Sequence, residues 1–214
     1  MFCVTAPVNK VFKIMILALF DFDGTITTKD SLVDFIQYAV GKTAYYKGLF
    51  FLSPMLAGYT LKLIPNYIAK EKLLSYFFKG WDAKKFSQLA KKYSLEEIEK
   101  TIRPQATEKI AWHKEQGHTV VIVSASMENW LKGWCVQARL ELISTKLDVK
   151  DNKITGKFST KNCYGTEKAV RVKAEYDLSK FDYIYAYGDS RGDRELLALA
   201  DKSFYKPFRD NQLY

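Results

Sequence analysis

Three stretches of this chain are apolar at nearly every position. They are Ile14 to Phe20, Thr119-Val-Val-Ile-Val123 and Tyr183-Ile-Tyr-Ala-Tyr187. Runs of this length, without polar alternation, predict strands buried on both faces, as in a parallel sheet. Elsewhere the apolar positions recur at helical spacing. One predicted helix is capped by Ser31 and runs through Val33, Phe35, Ile36 and Val40 to Gly41. Others cover Tyr67 to Phe78, a segment capped by Asp82 with Phe86, Leu89 and Tyr93, and a short piece from Leu95 to Ile102 that Pro104 stops. Between the first two lies Gly48 to Leu61, uncharged, flanked by Lys47 and Lys62, and interrupted by Pro54 and Gly58. It falls short of the roughly 20 apolar residues of a membrane span and suits a buried or interfacial helix.

After residue 104 helices and strands alternate. A helix from Gln105 to Gln116 precedes the second buried strand, and a helix with Trp130, Leu131 and Trp134 follows it. Leu140 to Val149 reads as one strand, turning at Lys150-Asp-Asn-Lys153 into a hairpin partner, Ile154 to Phe158. Thr166 opens a helix through Val170 and Val172. After the third buried strand come a helix from Glu195 to Ala200 and a last strand, Ser203 to Tyr205. The expected fold is α/β, a doubly wound, mostly parallel sheet with an all-helical insertion after the first strand. The expected division is a leader over 1–13, a core formed by 14–26 with 104–214, and a helical cap over 27–103. Met15 is a candidate natural start.

Composition narrows the class. With 48% hydrophobic and 27% charged residues, the 214-residue chain is globular. A net charge of +9 favours anionic partners: phosphorylated molecules, an acidic membrane face or nucleic acid. Residues 25–104 hold thirteen Lys and Arg against seven Asp and Glu, so most of that charge belongs to the insertion. The basic residues there are scattered among helices, which counts against nucleic acid. Cys3, Cys135 and Cys163 have neither disulfide nor zinc spacing, so a reducing, cytoplasmic location is expected. His113 and His118 read as surface or turn residues, and Trp130 and Trp134 as core.

The candidate chemistry lies at the strand ends, where ligands of doubly wound sheets bind. The first strand ends in Asp21-Phe-Asp23-Gly-Thr25, the second in Ser124-Ala-Ser126, the third in Gly188-Asp189-Ser190-Arg-Gly-Asp193. Paired carboxylates there cost energy unless a cation joins them. Asp21 can attack a phosphorus centre, and Asp23, on the same side of an extended chain, can serve as acid and base. The expected Mg²⁺ ligands are the side chains of Asp21 and Asp189 and the backbone carbonyl of Asp23. Ser124 can donate to a phosphoryl oxygen, and Lys168 can neutralise developing charge, with Lys161 and Lys173 as rivals. Ser126 serves either the site or the cap of the following helix.

These residues, with Cys163-Tyr-Gly165-Thr-Glu-Lys168, resemble in order the four motifs of the haloacid dehalogenase-like hydrolases. The insertion after the first motif looks like that superfamily's type-one cap. The Cys-x-Gly-x-x-Lys segment and its hairpin look like the branch holding phosphoserine phosphatase and a phosphatidylglycerophosphate phosphatase. The resemblance spans about Ile14 to Pro207. It implies Mg²⁺, an aspartyl-phosphate intermediate and hydrolysis of a phosphomonoester, with Asp193, Thr25, Ser126 and Ser190 in support. The cap would then select the substrate. Its Tyr45, Phe50 and Phe51, with flanking lysines, suit a lipid phosphate such as phosphatidylglycerophosphate, or contact with an anionic membrane. Alternatives are a soluble phosphoserine- or phosphocholine-type phosphatase, and a phospho-signalling receiver domain, which lacks such an insertion.

Overall fold

The computed structural model describes residues 14–209; the expected leader, with Cys3, lies outside them. Five parallel strands form the sheet, in the order β3-β2-β1-β6-β7. Strand β1 (Ile16–Phe20) sits at its centre, between β2 (Thr119–Met127) and β6 (Tyr183–Gly188). Strand β3 (Glu141–Thr145) and β7 (Lys202–Tyr205) form the edges. Leu17, Ala18, Leu19 and Phe20 are fully buried because the sheet is covered on both faces. Leu17 and Leu19 meet Val121, Val123, Ala186, Val172 and Leu196 on one face. Ala18 and Phe20 point to the other, into a larger cluster with Ile122 and Tyr187.

That larger cluster is not confined to the sheet. The insertion contributes α1 (Ser31–Val40), α2 (Lys42–Thr60), α3 (Asn66–Phe78) and α4 (Ala83–Glu96). Phe35 of α1 stacks on Trp130 of α6 (Glu128–Ala138), the helix after β2, with ring centres 4.7 Å apart. Phe78, Phe86 and Tyr93 close around Phe35. All five rings are essentially buried, and each such side chain contributes roughly 1.5–3 kcal/mol. Ser94 Oγ accepts from the Trp134 backbone N–H at 2.8 Å, joining α4 to α6. The two connections to the insertion run side by side: the Thr28 N–H donates to Thr101 O and the Arg103 N–H to Ile26 O, both at 2.8 Å.

Four expectations change. The strand expected over 140–149 is two: after β3 the chain leaves the parallel sheet at Lys146, and β4 (Leu147–Lys150) pairs antiparallel with β5 (Lys153–Phe158). Asp151 and Asn152 take positive φ at their turn, as a two-residue hairpin requires. This hairpin sits on the insertion. The Gly80 N–H donates to Ile154 O at 2.8 Å and the Ile154 N–H to Trp81 O at 2.9 Å, and Glu71 accepts from the Phe158 N–H at 3.0 Å. The cap of α1 is Asp30, which accepts from the Leu32 and Val33 N–H groups, and not Ser31. The piece expected over 95–102 divides between the end of α4 and a 3₁₀ turn, Ile98–Thr101.

His113 is a core residue and not a surface one. It lies on the inner side of α5 (Pro104–Glu115), with Nε2 2.9 Å from the Tyr187 hydroxyl and Nδ1 2.7 Å from Nδ1 of His118. Burial, then His118 and Lys109, pushes its pKa down to about 3, so it is neutral at ordinary pH. The Asp82 cap of α4 and the core placement of Trp130 and Trp134 match expectation. Cys135 and Cys163 are free and buried; burial pushes the Cys135 thiol up to about 12.

Candidate active site

The strand ends converge because parallel strands place all their carboxyl ends at one edge. The Asp21 N–H still donates to Tyr187 O at 2.9 Å, so Asp21 continues the ladder while its side chain enters the cleft. One wide turn, Phe22–Ile26, then carries the chain off the sheet. Gly24 within it has φ of +81°, and a Cβ there would lie 2.6 Å from Asp189 Oδ2. Only glycine lets the β1 and β6 loops approach this closely.

Lys168, in the first turn of α7 (Thr166–Glu175), lies almost wholly buried between two carboxylates. Its Nζ is 2.5 Å from Asp21 Oδ1 and 2.7 Å from Asp193 Oδ1. Thr25 Oγ1 donates to the other oxygen of Asp21 at 2.8 Å. Asp193 Oδ2 accepts from the Asp189 N–H, the Ser190 N–H and the Ser190 hydroxyl, at 3.2, 2.9 and 2.8 Å. Lys161 and Lys173 are exposed, which leaves Lys168 as the lysine of the cleft.

Burial pushes Asp21 up to about 7, against the pull of Lys168. Lys168 stays protonated, because Asp21 and Asp193 outweigh the cost of its own burial. Burial would also raise Asp193, but Lys168 and the Ser190 donors hold it below the usual carboxylate range. Asp189 is raised by burial and then by Asp193.

Asp21, Asp189 and Asp193 each offer a carboxylate oxygen within 4.8 Å of the others. Lys168 and Arg209, whose Nη2 is 3.0 Å from Asp189 Oδ2, are the cations paired with them. Three carboxylates against two cations leave a negative balance, and all three donors are hard oxygens. This set fits Mg²⁺. The Asp23 carboxylate lies outside this cluster and is engaged elsewhere.

Asp23 accepts from the Ser31 N–H at 2.7 Å and from the Ser126 hydroxyl at 2.5 Å. Ser31 Oγ donates to Ser126 Oγ at 2.9 Å and accepts from Trp130 Nε1 at 3.1 Å. The result is a buried chain from Trp130 through Ser31 and Ser126 to Asp23. Burial, then Asp30, raises the Asp23 carboxyl. Ser126 belongs to this chain and does not cap α6, whose cap residue is Met127. Ser124 is buried beneath, its Oγ accepting from the Ser126 N–H at 3.0 Å.

The family model for haloacid dehalogenase-like hydrolases matches residues 18–198. The chain belongs to this family. Among curated relatives it is 30% identical to Protein CicA of Caulobacter vibrioides over 196 residues, covering 91% of this chain and 87% of that one. It is 28% identical to a probable phosphatase of Mycobacterium tuberculosis over 207 residues, 90% of this chain and 69% of the relative. Among solved structures, a protein of unknown function from Bordetella pertussis superposes with a TM-score of 0.76 at 20% identity, over 89% of both chains. A phospho-aspartyl intermediate analogue of phosphoserine phosphatase superposes at 0.64 and 18% identity, over 89% of this chain and 86% of that one. These two likenesses show the shared fold.

Within this hydrolase the three aromatic residues expected at the substrate are placed differently from one another. Tyr45 is buried in the insertion, stacked on Phe77 at 6.1 Å, while Phe50 and Phe51 stand in solvent, 75% and 68% exposed. The insertion instead sends Lys70 of α3 to the site, with Nζ 3.2 Å from Ala125 O and near enough to Asp23 to favour its charge. Lys70, Arg209 and Ser31 were missed from sequence. Lys70 is one of many insertion lysines, and the Asp30-Ser31 pair offers two equally good helix caps.

Proposed function

We infer that this hydrolase is a Mg²⁺-dependent phosphatase that cleaves a phosphomonoester through an aspartyl phosphate on Asp21. The observation that carries the reading is the buried Asp21 carboxylate, set at a strand end between Thr25 and Lys168 and within 4.8 Å of two more acids. Mg²⁺, held by Asp21, Asp189 and Asp193, with the Asp23 carbonyl as a further ligand, would supply positive charge against the phosphoryl oxygens. An Asp21 oxygen attacks phosphorus, forming a P–O bond as the ester P–O bond breaks. Asp23 gives its proton to the departing alkoxide. Water then attacks the phosphorus of the aspartyl phosphate and passes a proton to Asp23. Phosphate leaves, and the Asp21 carboxylate returns. Ser124 and Lys168 stabilise charge on the transferred group. Ser126 holds Asp23 in place, and Ser190 holds Asp193.

The leaving group would be recognised between the start of α3 and the 158–167 segment. A cavity of about 700 Å³ there is lined in part by Asn66, Tyr67, Phe158, Asn162 and Tyr164. Its mixed lining and the nearby Lys70 suit a small-molecule or lipid phosphate, with a phosphatidylglycerophosphate-like ester favoured over phosphoserine or phosphocholine. The favoured place in the family is the phosphoserine phosphatase-like branch. Asp21→Asn should abolish Mg²⁺-dependent phosphate release from p-nitrophenyl phosphate; retained turnover would remove Asp21 as nucleophile. A screen of phospholipid head groups, phospho-amino acids and phosphocholine would fix the ester.

A further inference from the structure

Helix α2 has two unlike sides. Its inner side packs on α3 through Gly48, where a Cβ would lie 2.3 Å from the Phe77 ring. That close approach fixes the rotation of the helix. The opposite side carries Lys47, Phe50, Pro54, Ala57 and Leu61, spaced three and four apart, and every one is exposed. Tyr46 and Phe51 flank this row, with Leu63 just beyond it, 77% exposed. Single exposed apolar residues are ordinary, but a contiguous row of them marks an interaction surface. The charge around it is one-sided. From Phe35 to Ala69 there is no Asp or Glu, while Lys42, Lys47 and Lys62 are present and exposed.

We propose that this face docks the protein onto an anionic lipid bilayer. The helix lies in the interface, Phe50, Phe51, Leu61 and Leu63 enter the acyl boundary, and the lysines meet the head groups. Among the described residues no helix is long and apolar enough to cross a membrane, so the segment lies on the bilayer and does not span it. A second copy of the chain fits less well, since a two-fold contact would set these lysines against each other with no carboxylate between them. Nucleic acid would satisfy the lysines but leave Leu61, Leu63 and Pro54 in water. The docking is independent of which phosphoester the site cleaves.

Flotation of the full chain with vesicles tests this. The protein should float with phosphatidylglycerol–phosphatidylcholine vesicles and stay behind with phosphatidylcholine alone. Lys47→Gln should weaken partition about fivefold. The Phe50→Ser, Phe51→Ser double variant, checked for an unchanged melting temperature, should weaken it roughly tenfold or more. Because such a variant can misfold, Phe51→Trp gives a second readout: its emission should shift to the blue on adding the anionic vesicles. Asp21→Asn should float like the parent, which separates docking from catalysis. Equal flotation with both lipids, an unmoved Phe51→Trp spectrum, a dimer dissolved by the double variant, or RNA binding lost with Phe50 and Phe51 would each overturn the proposal.

Discussion

Replacing Lys168 with methionine keeps most of the side chain and removes its charge. In the parent protein the ammonium lies 2.5 Å from Asp21 and 2.7 Å from Asp193, with all three side chains less than a tenth exposed. Asp193 keeps its Ser190 donors, but Asp21 keeps only the Thr25 hydroxyl. Breaking a buried ion pair from one side costs about 3–5 kcal/mol, because the remaining charge is stranded. For a chain of this size that corresponds to a melting temperature lower by roughly 6–20 °C. The loss has a signature beyond its size. A divalent cation at the Asp21, Asp189 and Asp193 cluster returns positive charge, so Mg²⁺ should raise the melting point of Lys168→Met more than that of the parent. Lowering the pH protonates the stranded carboxylates and should also narrow the gap. Thermal melts by circular dichroism, with and without Mg²⁺ and across pH, read all three effects. A variant that melts within a degree or so of the parent, with the same Mg²⁺ response, would refute the view that Lys168 balances the acids of the site.

Other outcomes follow from single contacts. Ser126→Ala removes the 2.5 Å hydrogen bond to Asp23 and should lower kcat about tenfold with little change in KM, shifting the kcat pH profile. An unchanged pH profile would separate Ser126 from Asp23. His113, held neutral with its pKa near 3, should make the fold acid-sensitive. Between about 3 and its unfolded value of about 6.5 the unfolded chain binds the proton and the folded one does not, so stability falls as pH drops, by up to about 1.4 kcal/mol per unit. His113→Gln should flatten the urea midpoint between about pH 6 and 4; an unaltered slope would count against a neutral, buried His113.

The fold was legible where burial demands a pattern. The runs at 14–20, 119–123 and 183–187 pointed to central strands, and the polar groups at their ends had to share an edge. Harder to read were properties set by neighbours. Lys161, Lys168 and Lys173 are chemically alike, and only the turn of α7 decides which one enters the cleft. Ser31 and Ser126 both looked like helix caps, but they face each other across the insertion and bond to Asp23. His113 is buried because the Tyr187 hydroxyl beneath α5 meets its ring nitrogen, a pairing 74 residues apart. The 140–149 run kept one apolar character while changing sheets at Lys146. Within α2, Tyr45 and Phe50 are both aromatic; Gly48 decides which one faces inward.

The stack of Phe35 on Trp130 bears on how this enzyme can be rebuilt. A helical insertion between two adjacent connections looks like an exchangeable part, one that could be cut at 27 and 103 and replaced. Here Trp130, the ring stacked on Phe35, comes from α6, the helix after β2, and Trp134 is tied to Ser94 and Glu99. Grafting another cap onto this sheet would leave two indoles without their counterparts, and the Leu147–Phe158 hairpin without the helix it sits on. Chimeras that change the insertion alone should fold poorly. Those that carry residues 128–158 along with it keep the Trp130, Trp134 and hairpin contacts.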